Sequence, residues 1–292
     1  MPAQGRVTVS ERRSTIAGMR ERINRFCLAA LILAPVPVSG QVEQIVTATL
    51  ERYTIAALVM HQEGAKAFKH GIAIFPGHPG ILKLREENGQ PQYDQRGNFL
   101  VRSRRHWLDD QTLVAVLDAP SDQWATFTQE FRTTPRYGGD VASLLREISG
   151  KFNVEQWTLV GTSEGSVSAF HAARMNAPLA KRVILSSSVW GPTNNGPGLS
   201  SAKFGELSAP LLWVHHESDP CQYTQYRDAR RYAEKSMSPL LTVRGGGPEK
   251  GGACQAFTAH GFVGVERAVV LAMRSWVKTG AVPPAITGNN PQ

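Results

Sequence analysis

The chain has 292 residues, of which 41% are hydrophobic and 19% charged, with 32 basic and 24 acidic side chains and a formal net charge of +8. This composition is typical of a globular protein and excludes a chain that is disordered or collagen-like throughout. The length allows two small domains or one large α/β domain.

The first 40 residues have the pattern of a secretory signal peptide. Arg20, Arg22 and Arg25 precede the apolar run FCLAALILAP, and the small-residue segment VPVSG follows and ends at Gly40. We therefore expect cleavage after Gly40, with Met19 as an alternative start, and a periplasmic or secreted protein. The apolar run is too short to span a bilayer, which needs roughly 20 residues, so we expect no stable membrane insertion after its removal. A buried N-terminal helix is the alternative interpretation.

Removing this segment also halves the net charge. The segment carries six of the 32 basic and two of the 24 acidic residues, so the remaining chain has a net charge of +4. A basic cluster does remain at Arg102, Arg104 and Arg105, but a solvated helix face explains it better than an anion site does. We therefore expect no nucleic-acid partner.

Beyond residue 40, apolar β-branched runs alternate with amphipathic stretches, which predicts βαβ units around a mostly parallel sheet of about eight strands. The expected strands cover residues 45–50, 56–61, 71–75, 112–117, 157–160, 183–186, 211–215 and 240–243. The expected helices cover residues 139–152, 164–176, 223–235 and 264–278. We expect the first two strands to be antiparallel, and one α/β domain over residues 41–281 followed by a polar tail over 282–292.

The third expected strand ends at Phe75 and runs into the turn PGHPG. Backbone amides in such a turn can stabilise an oxyanion. The amide of His78 is the best placed donor, because Pro79 has no N–H. From residue 77 to residue 111 we expect one helix and a surface loop.

The fifth expected strand runs directly into the segment GTSEG, which carries Ser163, and then into a helix-compatible run. A serine at a strand-to-helix corner lies in a strained turn, and glycines two residues to either side let the neighbouring backbone pass closely. This geometry presents the Ser163 hydroxyl above the sheet and makes the amide of Glu164 a second oxyanion donor. The pattern predicts a nucleophile elbow.

A serine hydroxyl needs a base to remove its proton, and that base is usually a histidine oriented by a carboxylate. Of the eight histidines, His260 is the one that follows the candidate acids, in a glycine-bracketed loop before the last expected helix. Asp219 is the favoured acid because it begins a turn, DP, after the strand that ends at residue 215. Glu217 is its competitor.

Cys221 and Cys254 remain once Cys27 is removed with the signal segment. Two cysteines in an exported protein favour a disulfide, with two buried thiols as the alternative. Since Cys221 follows Asp219 closely and Cys254 precedes His260, this bond would tie the acid loop to the histidine loop.

The segment His215-His216-Glu217 does not predict a metal site, because adjacent side chains on a strand point to opposite faces. We expect neither a metal nor another cofactor. Trp190 is a candidate for the wall of the substrate pocket. It lies on a connection of about 23 residues between positions 188 and 210, which is too short for a separate lid.

Together, these motifs resemble the α/β-hydrolase superfamily over nearly the whole chain beyond residue 40, in the form of a small exported bacterial member with a minimal cap. The resemblance implies Ser163 as nucleophile, His260 as general base and then acid, and Asp219 as the residue that orients it. It also implies an oxyanion hole formed by the amides of His78 and Glu164. The chain departs from lipases, which often carry His-Gly-Gly-Gly where FPGHPG stands here, and from dienelactone hydrolases, whose nucleophile is cysteine.

The reaction that this resemblance implies is acyl transfer from a small-molecule or polymeric ester to water through an acyl-enzyme. A serine peptidase or an acyltransferase would use the same residues. A non-catalytic exported binding protein is the alternative from another class, and labelling by a fluorophosphonate probe distinguishes it. The sequence indicates neither the acyl-chain length nor the oligomeric state.

Overall fold

The computed structural model describes residues 40–288. Apart from Gly40, the expected signal peptide, including Met19 and Cys27, lies outside the described residues, as does the end of the expected tail from residue 289 onward. Within the described range, no helix is long and apolar enough to cross a membrane.

Nine strands form one sheet in the order β1-β2-β6-β3-β7-β8-β9-β10-β11, and β4 and β5 form a separate hairpin. The strands are β1 Gln41–Thr49, β2 Thr54–Gln62, β3 His70–Phe75, β4 Arg85–Glu87, β5 Gln90–Gln92, β6 Thr112–Leu117, β7 Trp157–Thr162, β8 Ala180–Ser186, β9 Leu211–His216, β10 Leu240–Gly245 and β11 Ala285–Gly288. The helices are α1 Phe99–Arg102, α2 Gln129–Arg132, α3 Pro135–Phe152, α4 Gly165–Met175, α5 Tyr226–Ser236 and α6 Glu266–Thr279. Strand β2 points in the direction opposite to the other strands of the described sheet, so its pairs with β1 and β6 are antiparallel.

The predicted fold class is confirmed, because the chain forms a mostly parallel sheet flanked by helices. All eight expected strands are present in the sheet, and the first two pair in antiparallel orientation. The sheet has nine strands rather than about eight, because β11 pairs in parallel with β10 within the segment where we expected a polar tail. The sheet therefore continues beyond residue 281.

The segment between β3 and β6 holds more structure than the single helix expected from its sequence. Strands β4 and β5 are joined through Asn88 and Gly89, which both have positive φ (52° and 69°). An Asn-Gly pair with two positive φ values is the preferred two-residue hairpin turn. Helix α1 follows at Phe99–Arg102.

Asp118, just after β6, anchors this segment to the sheet. Its buried carboxylate accepts hydrogen bonds from the backbone amides of Leu82 (2.6 Å), Leu84 (2.9 Å) and Ala119 (2.8 Å). Burial raises the pKa of Asp118 to about 6, although these hydrogen bonds act in the opposite direction. The segment after β3 is thus fixed at its start, close to His78.

Helix α3 begins four residues before its expected start. Thr134 accepts a hydrogen bond from the amide of Tyr137 (3.2 Å), and Pro135 occupies the first turn. A capping threonine followed by proline is a favourable helix start, because proline's missing N–H would have no partner there. The helix ends at Asn153, which adopts the left-handed conformation with φ 53°.

Apolar residues cover both faces of the sheet. Along β3, Ile72 and Ile74 belong to one buried cluster and Ala73 and Phe75 to the other, as alternation along a strand requires. The first cluster also contains the buried faces of α1 and α6, and the second those of α3, α4 and α5. This packing fixes the carboxyl ends of β3, β7 and β9, and His78, Ser163 and Asp219 each lie within three residues of one of these ends.

Candidate active site

Ser163 lies in a strained turn between β7 and α4. Its φ is 53°, in the left-handed region that non-glycine residues rarely adopt. The turn is held by hydrogen bonds from its amide to Ser186 O (3.1 Å) and from Ser166 Oγ to its carbonyl (2.6 Å). This is the conformation expected of a nucleophile elbow.

The two glycines of this turn are required by close backbone contacts. A Cβ on Gly161 would collide with the carbonyl oxygen of Gly165, and a Cβ on Gly165 would collide with that of Phe75. No larger residue fits at either position without moving β3 or the start of α4. The glycine spacing of the motif therefore has a steric cause.

His260 and Asp219 form a buried hydrogen-bonded pair. His260 Nδ1 lies 3.1 Å from Asp219 Oδ2, and the side chains are 6% and 0% exposed. Asp219 Oδ1 also accepts the amide of Cys221 (3.0 Å). Burial by itself would raise the pKa of Asp219, but the neighbouring His215 and His260 hold it well below its ordinary value. The carboxylate is therefore ionised at neutral pH.

Two residues beside this pair were not found from the sequence. Thr224 Oγ1 donates a hydrogen bond to Asp219 Oδ2 (2.8 Å) and lies 3.1 Å from His260 Nδ1. His215 Nε2 hydrogen-bonds to the carbonyl of Thr224 and lies 3.4 Å from Asp219 Oδ2. Both fix the carboxylate in the orientation that meets the imidazole.

The competing acid, Glu217, points away from this pair. Its carboxylate forms an exposed ion pair with Arg244, with Nε at 2.8 Å from Oε2. The adjacent histidines diverge as expected, since His215 faces Asp219 whereas His216 Nε2 bonds to Gly245 O (2.8 Å). Across residues 40–288, no group of three or more His, Cys, Asp or Glu residues is arranged to hold a metal ion.

The loop after β3 passes directly over the elbow. A Cβ built on Gly77 would lie 3.0 Å from Ser163 Cβ and 3.2 Å from Thr162 O, so a larger residue here would force the elbow or the loop to shift. In the part of the chain that the structure describes, the amides of His78 and Glu164 donate no hydrogen bond. Both amides are therefore available to an oxyanion.

The side chain of Glu164 forms a second buried polar network. Its carboxylate accepts a hydrogen bond from Asn195 Nδ2 (2.8 Å), contacts His78 Nδ1 (3.2 Å) and lies 3.6 Å from the buried guanidinium of Arg132. Burial by itself would raise the pKa of Glu164, but His78, Arg132 and Asn195 lower it overall. Arg132 also donates to Pro79 O (2.7 Å). The network links the loop after β3 to the elbow, and no sequence motif marks it.

Ser163, His260 and His78 line one cavity of about 560 Å³. Among the described residues, the Ser163 hydroxyl has no hydrogen bond to His260. Such contacts are often long in unliganded sites and tighten when substrate binds. The structure thus brings Ser163, His260 and the two expected oxyanion donors, His78 and Glu164, to one cavity and leaves the serine hydroxyl unpaired within residues 40–288.

Trp190 does not line this cavity. It is 3% exposed and stacks on Tyr232 of α5, with ring centroids 4.6 Å apart and an interplanar angle of 4°. It also packs against Trp213 of β9, at 5.0 Å. The expected pocket role is therefore corrected, since Trp190 is a core residue beneath α5.

Cys221 and Cys254 form a disulfide with a Cα–Cα distance of 4.5 Å. Both cysteines line the cavity. The bond joins the loop that carries Asp219 to the loop that carries His260, as expected. The two members of the buried pair are thus covalently connected through their own loops.

A mostly parallel sheet with antiparallel β2, helices on both faces and Ser163 in the turn after β7 define the α/β-hydrolase fold. The chain has this fold.

Solved structures with TM-scores above 0.5 to this chain confirm it. Est1E from Butyrivibrio proteoclasticus has a TM-score of 0.54 at 13% identity, covering 80% of this chain and 99% of its own. The complex of Est1E with ferulic acid has a TM-score of 0.53 at 14% identity, and the match covers 80% of this chain and 100% of the Est1E chain. A PEG-bound cold-adapted esterase from an Arctic intertidal metagenomic library has a TM-score of 0.48 at 12% identity, and the match covers 69% of this chain and 84% of the esterase chain. No family model and no curated protein matches the sequence. At these identities the likeness shows the fold alone.

Proposed function

We propose that the protein is a serine hydrolase that cleaves carboxylic esters through an acyl-enzyme. The observation that carries this proposal is the buried Asp219–His260 pair, whose histidine lines the same cavity as Ser163. Est1E, which has the same fold, binds ferulic acid, a carboxylic acid and hence the type of product that ester hydrolysis releases. The disulfide and the signal-like segment 1–40 support a further part of the proposal, export from the cytoplasm.

In the proposed mechanism, Ser163 Oγ attacks the ester carbonyl while His260 Nε2 takes its proton. The amides of His78 and Glu164 stabilise the negative charge on the tetrahedral intermediate. His260 then returns the proton to the departing alcohol, which leaves an acyl group on Ser163. A water molecule, deprotonated by His260, attacks this acyl group and releases the acid and the free serine.

Asp219 supports these proton transfers electrostatically. Its ionised carboxylate accepts the Nδ1 hydrogen of His260, which leaves Nε2 as the basic nitrogen, and it stabilises the imidazolium that forms after the attack. Ser163 has to turn toward His260 Nε2 for this transfer, because the two side chains are not hydrogen-bonded to each other within residues 40–288.

The test is hydrolysis of p-nitrophenyl esters, from acetate to palmitate, by the protein without residues 1–40 and by its Ser163→Ala variant. We expect turnover that falls by at least about a thousandfold in the variant. Ser143→Ala is the matched control, because Ser143 lies on α3 outside the cavity and its hydroxyl donates to Gly139 O (3.0 Å), and it should retain full activity.

The proposal fails if the folded protein neither hydrolyses an ester nor reacts at Ser163 with a fluorophosphonate probe, which would favour a non-catalytic binding protein. Labelling of Ser163 without ester turnover would instead indicate a peptidase or an acyltransferase.

A further inference from the structure

Uncharged polar side chains line part of the cavity above Ser163. Asn194, Tyr223 and Gln255 are among the lining residues. None of these three side chains forms a hydrogen bond with any residue from 40 to 288. Their amide and hydroxyl groups are therefore available to a bound molecule.

The charged groups of the cavity are already paired within the protein. Glu164 is the one Asp, Glu, Lys or Arg residue among those that line it in the described chain. Its carboxylate is buried and accepts hydrogen bonds from Asn195 (2.8 Å) and Gln129 (3.3 Å). The Nδ1 atom of His78 is occupied by Glu164 and Asn195. A charged substrate group would lose hydration here without gaining a partner of opposite charge.

Phe257 adds an exposed aromatic ring to the same cavity. Its side chain is 45% exposed, and the guanidinium of Arg102 lies 4.9 Å from its ring centroid. An aromatic surface beside hydrogen-bonding groups suits a molecule that is apolar on its faces and hydroxylated at its rim. A sugar ring has this distribution of C–H and O–H groups.

We propose that the ester substrate carries a sugar or another uncharged polyol next to the bond that is cleaved. This inference rests on the proposed hydrolase function. Bound hydroxyl groups replace the water on Asn194, Tyr223 and Gln255, whereas an alkyl group of the same size would displace that water without restoring its hydrogen bonds. The ring of the polyol packs on Phe257.

The test compares three acetates of different alcohols: methyl 6-O-acetyl-glucopyranoside, cyclohexylmethyl acetate and acetylcholine. The first two present a six-membered ring on a CH₂–O–acetyl group and differ chiefly in ring hydroxyls, while the third carries a cation. Each kcat/KM is divided by the rate of alkaline hydrolysis of the same ester, which corrects for leaving-group reactivity. We expect the sugar acetate to exceed both others by at least about tenfold.

Variants connect this preference to the cavity wall. Asn194→Ala, Gln255→Ala and Tyr223→Phe should each lower kcat/KM for the sugar acetate by up to about tenfold and leave cyclohexylmethyl acetate within about twofold. Gln111→Ala removes an exposed amide that lies outside the cavity, and it should change neither rate. The side chains of Asn194, Tyr223 and Gln255 have no hydrogen-bond partner among the described residues, so the three cavity variants should fold. Circular dichroism checks this.

The outcomes separate this inference from the proposed function. If Ser163→Ala abolishes p-nitrophenyl acetate hydrolysis but the sugar acetate has no advantage, the polyol inference is overturned and the hydrolase function stands. If no ester is hydrolysed by the wild type, both are overturned. The last substrate is an acetylated xylo-oligosaccharide. If its kcat/KM is higher than that of the monosaccharide acetate, the site is assigned to polymer-bound sugar esters, and if its kcat/KM is lower, the site is assigned to free sugar esters.

Discussion

Thr224 contacts both members of the buried pair, at 2.8 Å from Asp219 Oδ2 and 3.1 Å from His260 Nδ1. We predict that Thr224→Val, which removes this hydroxyl at nearly constant volume, lowers kcat for ester hydrolysis by about tenfold with little change in KM. The carboxylate loses a donor that fixes its rotation, so His260 is oriented less well. Steady-state kinetics measure the effect.

Thr224→Ser keeps the hydroxyl and should restore most of the rate. Equal losses of kcat in both variants would contradict this positioning role, because they would point to the methyl group and to packing.

At the scale of single residues, the sequence predicted the positions with a local signature. Ser163 was marked by its flanking glycines, and Asp219 and His260 by their places after a strand and before the last helix. Thr224 and His215 carry no such mark, because their roles depend on how two loops meet in space. Trp190 was misplaced for the same reason, since its burial depends on α5.

Two loops are joined by the Cys221–Cys254 disulfide, which closes 33 residues of chain. We predict that the double variant Cys221→Ser/Cys254→Ser loses about 3 kcal/mol of unfolding free energy, because the unfolded chain gains freedom. Its kcat should fall as well, because the distance between Asp219 and His260 is no longer fixed covalently. Urea unfolding and ester kinetics measure the two effects.

Glu217→Gln is the control for this pair of loops. It breaks the exposed ion pair with Arg244 on the same acid loop, and exposed pairs contribute at most about 1 kcal/mol. A double cysteine variant as active and as stable as Glu217→Gln would show that the disulfide holds neither loop.

At the scale of elements, strands in the central sheet were predictable because both their faces are buried and they appear as continuous apolar runs. Short elements were not predictable. Strands β4 and β5 have three residues each and carry mostly polar side chains, so only the Asn-Gly turn between them marks the hairpin. Strand β11 depends on pairing with β10, which no local pattern indicates.

Across the whole molecule, Asp118 should make stability depend on pH. Its pKa is raised from 3.8 to about 6 by burial, so the folded state holds its proton at pH values where the unfolded chain has lost it. The stabilisation that comes from the bound proton of Asp118 is complete below the pKa that Asp118 has in the unfolded chain. It is lost as pH rises through the pKa that Asp118 has in the folded protein. Between pH 4 and pH 7, we predict that the wild type loses about 2 kcal/mol relative to Asp118→Asn.

Urea unfolding of both proteins across this pH range measures the difference. The matched control is Asp110→Asn, because the Asp110 side chain is exposed, and its curve should parallel that of the wild type. Parallel curves for the wild type and Asp118→Asn would mean that Asp118 binds its proton equally in both states.

Strand β11 has a consequence for self-association. Strand β10 carries the fully buried Leu241 and Val243, and its backbone pairs with Pro284 and with the four residues of β11. A chain cut before residue 284 would leave β10 with a row of unpaired amides and carbonyls, which is a template for docking another chain. A four-residue strand is a poorer template, so these last described residues protect the sheet from growing into aggregates.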